Sequence, residues 1–296
     1  PEGSRIMPAP IEDFRFSSAD GLKLHALSVG PHSPAFLPVI CLPGVSRTAE
    51  DFRTLLLALA KSNPQRRALA LDSRGRGLSE RDNKPANYSI PVELGDLVKL
   101  LGEQKIERAI FVGTSRGGIL TMALAAIMPQ AIASAVLNDV GPVLDMTGLM
   151  RIKGYVGRIA PPRSWHEAVA SLKRVMGVQF PAFSEADWEG YARRTWHDDF
   201  SPRSDPAIAA TFDGIDATAP LPALWPQFEA LAKAAPVLVL RGEHSDLLSR
   251  ETVSEMKRRA PRMEAIEIPG QGHAPVLERE EVIRPIMQFV ARCDGA

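Results

Sequence analysis

A serine hydroxyl becomes a nucleophile when a base takes its proton, and the base needs a carboxylate to hold its ring in one orientation. One serine stands in a setting built for this. Ser115, in VGTSRGGIL, lies between Gly113 and Gly117, with Gly118 following. An apolar run before it reads as a strand, and one after it reads as a helix. So tight a strand-to-helix turn needs glycines around the central residue. It lifts the side chain above the sheet edge, at a helix N-terminus that favours developing negative charge. The plainer alternative is a helix N-cap serine in a packed glycine turn.

Of the six histidines, His25 lies on an edge-type strand, His32 in a proline-rich loop, and His166 and His197 in the middle of the chain. His273, in IPGQGHAPVLE, follows the last strand-like run in a glycine-rich loop able to reach back over the sheet edge. For the acid, VLVLRGEHSDLLS places Asp246 just beyond the preceding strand-like run, and the order Ser115, Asp246, His273 makes it the preferred choice. Asp139, after SAVLND, competes from an earlier strand end. His244 is too close to Asp246 in sequence to be its partner and is left at the rim. Acyl transfer also needs donors for an oxyanion. The backbone N–H groups of Arg116 and of Val45, the latter in CLPGVSRT where Gly44 lets the chain turn closely, are expected to supply them.

These residues need a frame. LPVICLPG, RRALALDSRG, RAIFVGTS and IASAVLNDV are short continuous apolar runs, the pattern of parallel strands covered on both faces. AEDFRTLLLALAKS, IPVELGDLVKLLGEQ and GILTMALAAIMP between them read as helices, so the chain alternates into a parallel sheet with right-handed crossovers. Ahead of them, EDFRFSS and LKLHALSVG, separated by ADG, predict a hairpin with both strands half exposed.

The alternation stops after NDVGP. Residues 143–223 carry amphipathic pieces such as SWHEAVASLKRVMG and EADWEGYARRTW, broken by APPRS, FPAFS and SPRSDP, with little strand signal. The alternation then resumes with helix LWPQFEALAKA, strand PVLVLRG, helix SRETVSEMKRRA, strand MEAIEIPG and helix EREEVIRPIMQFVARC. The reading is an α/β core over 8–142 and 224–296, with a helical cap over 143–223. Trp165, Trp188, Trp196 and Trp225 lie in or beside that insertion. Trp188 and Trp196 are expected to line an apolar pocket, the alternative being that they glue thin helices to the core. Arg47 and Arg116 are candidates to hold a substrate carboxylate, or else to pair with acids near the elbow.

Composition narrows the classes. Thirty-five Lys and Arg balance thirty-five Asp and Glu, which gives no pull toward nucleic acid or anionic membrane. No run approaches the roughly 18 apolar residues of a membrane span. PEGSRIMPAPIEDF has no apolar leader region, and PEGS reads as an addition ahead of Met7. Cys41 and Cys293 lie in unrelated contexts and read as free thiols of a reducing compartment. The expectation is a soluble cytoplasmic protein with a small-molecule substrate and no nucleic-acid or membrane partner; a homodimer is left open. GQGHAP lacks the third glycine of a dinucleotide fingerprint, GTSRGG lacks a phosphate-loop lysine, and no zinc-ligand spacing occurs.

Taken together, CLPGVSRTAEDF, DSRGRGLSE, FVGTSRGG, LNDVGP, LRGEHSDLLS and GQGHAP resemble the α/β-hydrolase superfamily, in its capped esterase, lactonase and C–C hydrolase branch. The resemblance covers nearly the whole chain outside the insertion. It implies an α/β-hydrolase fold: an eight-stranded, mostly parallel sheet flanked by helices, a helical cap after the sixth strand, and no cofactor or metal. It departs at one place: the family's oxyanion loop usually reads His-Gly, where Pro43 precedes Gly44 here. The implied chemistry is hydrolysis of a small, partly apolar carboxylic ester or lactone through a Ser-His-Asp triad. Cleavage of a ring-derived diketone by the same triad, and a slow ligand-sensing protein on this fold, are the alternatives.

Overall fold

The computed structural model describes residues 10–32, 35–219 and 221–293; PEGS and Met7 lie outside these. Eight strands form one sheet: β1 (Glu12–Ser17), β2 (Lys23–Val29), β3 (Val39–Leu42), β4 (Ala68–Asp72), β5 (Ala109–Thr114), β6 (Ile132–Asn138), β7 (Val237–Gly242) and β8 (Glu264–Ile268). Their order is β1-β2-β4-β3-β5-β6-β7-β8. β2 runs antiparallel to β1 and β4, and every other neighbouring pair is parallel. This is the fold the sequence implies.

The central strands are apolar throughout because helices cover both faces. β3, β4, β6 and β7 are buried at every position. The helices are α1 (Arg53–Ser62), α2 (Ile90–Glu103), α3 (Arg116–Ile127), α4 (Met146–Tyr155), α5 (Trp165–Met176), α6 (Glu185–Arg193), α7 (Trp225–Ala234), α8 (Arg250–Arg259) and α9 (Glu280–Arg292). One apolar cluster, with Leu100, Leu120 and Phe228, packs on one face of the sheet; another, with Leu55, Phe52 and Ile286, packs on the other.

The hairpin differs from expectation in burial. β1 is largely exposed, but Leu24, His25, Ala26 and Leu27 of β2 are buried, because β2 pairs on its second edge with β4. His25 is therefore not an edge residue.

Between β6 and β7 the chain leaves the sheet and forms α4, α5, α6 and a 3-10 stretch, Pro206–Phe212, before α7 returns to pack on α3. Here Ala168, Leu172, Met176, Phe180, Trp188 and Tyr191 build an apolar cluster of their own. Three contacts tie the excursion to the loop after β4: Gly77 N–H donates to Arg203 O, Asp205 N–H donates to Gly75 O, and Arg76 bridges to Ser204.

Candidate active site

β5 delivers the chain to Ser115 and α3 takes it away. Ser115 sits at φ 51°, ψ −115°, a strained conformation held because both flanks are pinned. A Cβ on Gly113 would stand 2.5 Å from the Gly117 backbone, and one on Gly117 would collide with the Leu42 carbonyl oxygen. Only glycine lets β5, β3 and α3 approach so closely. Ser115 N–H donates to Asn138 O at 3.0 Å, which ties the elbow to β6.

His273, from the loop after β8, brings Nε2 to 2.9 Å from Ser115 Oγ. Its Nδ1 lies 2.8 Å from Asp139 Oδ2. Asp139 is fully buried and turns its backbone to φ 58° immediately after β6, a left-handed conformation that aspartate tolerates better than most residues. Two more donors hold it: Gly242 N–H donates to Oδ1 at 2.7 Å, and Ser245 Oγ donates to Oδ2 at 2.6 Å. The Gln179 side chain, from the excursion, accepts from His273 N–H at 2.8 Å. Asn138 Nδ2 donates to Pro275 O at 2.9 Å, closing the histidine loop against β6.

The acid beside His273 is thus Asp139 and not Asp246, which corrects the preferred sequence assignment. Asp246 lies four residues beyond β7, and its carboxylate is turned to α4, where Arg151 grips it through Nε at 2.6 Å and a terminal nitrogen at 2.8 Å. Such a two-pronged fork occupies both carboxylate oxygens. β6 neighbours β5 in the sheet, so a residue just past its end is one strand spacing from the nucleophile; β7 is a strand further away. His244, expected at the rim, borders neither cavity at Ser115, and its side chain is 38% exposed.

Arg116 is the first residue of α3, so its N–H has no acceptor within the helix. Val45 lies in a turn closed by Arg47 N–H to Gly44 O at 3.1 Å, and among the described residues its own N–H has no acceptor. Val45 borders both cavities at Ser115, and Arg116 borders one of them. Gly44, which follows Pro43, lies close enough to the elbow that a Cβ there would stand 3.8 Å from that of Ser115.

Behind these amides lies a buried charge network that sequence reading did not resolve. Glu93 of α2 accepts from Arg116 Nε at 2.8 Å and from an Arg76 terminal nitrogen at 2.6 Å, while Arg76 Nε donates to Val45 O at 2.8 Å. Burial opposes ionisation of Glu93, but the two guanidinium groups outweigh it and hold its pKa below the ordinary value.

The chain matches the model of the alpha/beta hydrolase family over residues 39–284. This chain belongs to that family. Similar proteins include a 3-hydroxybutyrate-oligomer hydrolase of Cupriavidus necator, 33% identical over 88% of this chain and 89% of its own. An esterase of Mycobacterium tuberculosis is 26% identical over 90% of this chain and 86% of that protein. A crystal structure of an alpha/beta hydrolase from Novosphingobium aromaticivorans is 40% identical, with a TM-score of 0.87, covering 96% of this chain and 99% of the other.

Two cavities of this α/β hydrolase meet at Ser115. The larger, about 340 Å³, lies under α4 and the 3-10 stretch and is walled by Ile119, Leu144, Leu149, Phe212, Leu224 and Leu247. The smaller, about 60 Å³, also borders His273 and carries Ser46, Arg47, Asp51, Tyr155, Tyr191 and Arg194. Burial pushes the Tyr155 phenol up to about 12, so it is a neutral hydroxyl.

The expected substrate-contacting residues fall differently. Arg47 does border the smaller cavity, but its Nε and one terminal nitrogen are committed to Asp51 at 2.7 and 2.6 Å, and the other to Thr195 at 2.8 Å. Arg116 is likewise paired, with Glu93. Trp188 packs edge-on against Phe183, with ring centroids 5.2 Å apart, and against Phe180 at 6.2 Å, inside the excursion's own cluster. It borders neither cavity at Ser115. Trp196 is buried in the same cluster and borders neither cavity at Ser115; it reaches a third, of about 90 Å³, that shares Ser46, Arg47, Tyr155, Met176 and Tyr191 with the smaller one. A large aromatic gains most by full burial, and here the excursion's own core provides it.

No helix among the described residues is long and apolar enough to cross a membrane.

Proposed function

We propose that this hydrolase cleaves small, partly apolar carboxylic esters or lactones without a cofactor, through Ser115, His273 and Asp139 and an acyl-enzyme intermediate. The observation that carries the reading is the unbroken relay from Ser115 Oγ through the His273 ring to Asp139, at 2.9 and 2.8 Å.

In the first half-reaction Ser115 Oγ attacks the ester carbonyl carbon while His273 Nε2 takes its proton. Asp139, accepting from Nδ1–H, fixes the tautomer and stabilises the imidazolium. The Arg116 and Val45 amides face the carbonyl oxygen as it becomes an oxyanion. On collapse the C–O bond breaks, Nε2 gives its proton to the departing oxygen, and the alcohol leaves. Water then repeats the sequence on the acyl-enzyme: His273 takes the proton of water and returns it to Ser115 Oγ, and the acid is released. Hydrolysis of a C–C bond in an acidic diketone would call for free arginines at the site. Arg47 and Arg116 are already ion-paired, which favours the ester reading.

Turnover of p-nitrophenyl butyrate and labelling of Ser115 by a fluorophosphonate test the proposal. In Ser115→Ala labelling vanishes and kcat/KM falls by on the order of 10⁴ or more, with thermal unfolding unchanged. Undiminished turnover in that variant would remove Ser115 from the chemistry, and barely detectable turnover in the native protein would return it to the ligand-sensing class.

A further inference from the structure

The two cavities that meet at Ser115 differ in size, polarity and access to the base. Val45, Ser115 and Ile152 border both, but His273 borders only the smaller. That difference assigns them. When the tetrahedral intermediate collapses, the departing oxygen must receive its proton from His273 Nε2, so the alcohol lies on the histidine's side. The acyl chain, held to Ser115 Oγ and pointing away from the imidazole, then has only the larger cavity to enter.

We propose that this enzyme is selective for direction in its ester: an apolar acyl chain of medium length on one side, and a small, uncharged alcohol on the other. The assignment rests on the serine-hydrolase reading above and deepens it. The acyl side is walled by aliphatic and aromatic side chains, so each buried methylene contributes about 0.8 kcal/mol to holding a longer acyl group. The alcohol side has room for a handful of non-hydrogen atoms, a water-sized site taking roughly 10–15 Å³. Ser46, Tyr155 and Tyr191 border it beside apolar Ile152, Met176 and Leu277, which makes it the less apolar of the two cavities. Its charges balance: Arg47 and Arg194 are matched by Asp51 and Glu278, with Arg194 at 3.2 Å from Asp51 and 2.6 Å from Glu278. A leaving group bearing its own charge would find no unmatched partner there.

Ethyl hexanoate and hexyl acetate are isomers with nearly equal hydrophobicity and opposite direction, and they separate the assignment from simple preference for apolar compounds. Acid release is followed by titration, with Ser115→Ala as the control. The expected result is a kcat/KM for ethyl hexanoate at least tenfold above that for hexyl acetate. Leu149→Trp, which fills the larger cavity, should cut ethyl hexanoate at least tenfold more than ethyl acetate. Equal or reversed preference, with both activities lost in Ser115→Ala, overturns the directional assignment and leaves the serine-hydrolase reading standing. So does failure on both isomers by an enzyme that turns over p-nitrophenyl butyrate. Absence of any turnover together with absence of fluorophosphonate labelling overturns both.

Discussion

Arg151 and Asp246 form a two-pronged ion pair, 2.6 and 2.8 Å, between the first helix of the excursion and the loop after β7. The pair uses the carboxylate that chain order alone favours as the catalytic acid. Asp139→Asn should therefore lower kcat by roughly 10⁴, because the His273 tautomer is no longer fixed. Asp246→Asn should leave kcat within an order of magnitude. Steady-state kinetics on p-nitrophenyl butyrate decide between them, and a crippled Asp246→Asn beside an active Asp139→Asn would reverse the assignment.

Glu93 lies between two buried arginines. Glu93→Gln leaves the Arg76 and Arg116 charges without their shared counter-charge, and removing one partner of such a buried group typically costs about 3–5 kcal/mol. The urea midpoint should fall accordingly. A midpoint equal to that of the native protein would show that the network contributes nothing to stability.

The His25 ring is buried between Asp72 at 2.7 Å and Asp13 at 2.9 Å. Burial pulls its pKa down, but the hydrogen bonds to the two carboxylates outweigh this and leave it raised above 6.5. A raised folded pKa means that the linked stabilisation is complete below 6.5 and is lost as pH rises through the folded value. The stability difference between the native protein and His25→Gln should thus be largest in acid and shrink with rising pH. A pH-independent difference would contradict the linkage.

Trp188 sits in the excursion's core rather than on the substrate cavities. Trp188→Ala should cost about 3–5 kcal/mol and speed hydrogen exchange over residues 165–196. The preference between acetate and hexanoate esters should stay as it is. An altered chain-length preference without loss of stability would bring this ring back to the substrate.

The parts legible in the sequence are those that depend on neighbours close in the chain. Strands buried on both faces announce themselves as VICL, ALALD and VLVLRG, and the elbow declares itself because Gly113 and Gly117 have no room for a Cβ. What the sequence leaves open depends on lateral position. Asp139 and Asp246 both follow parallel strands, and choosing between them takes the strand order and the presence of Arg151, 95 residues from Asp246. β2 reads as half exposed because nothing local tells of its pairing with β4. α4 escapes notice because Gly148 and Gly154 weaken its helical pattern; Gly148 is needed where a Cβ would crowd Asp246. Tryptophans lining a pocket and tryptophans filling a small core have the same composition.

With Asp139 beyond β6 standing against His273, the Asp246 end of the loop after β7 is a mooring for the excursion. Gly148 N–H donates to Asp246 O at 2.9 Å, Asp145 N–H donates to Leu247 O at 2.8 Å, and Arg151 clasps the Asp246 side chain. The loop after β7 thus serves both sides, holding Asp139 through Gly242 N–H and Ser245 Oγ and the excursion through Asp246 and Leu247. Excursion and relay are joined a second time at Gln179, which accepts from His273 N–H, so an exchanged or redesigned excursion would have to keep both Gln179 and its hold on the β7 loop for the His273 loop to stay in place.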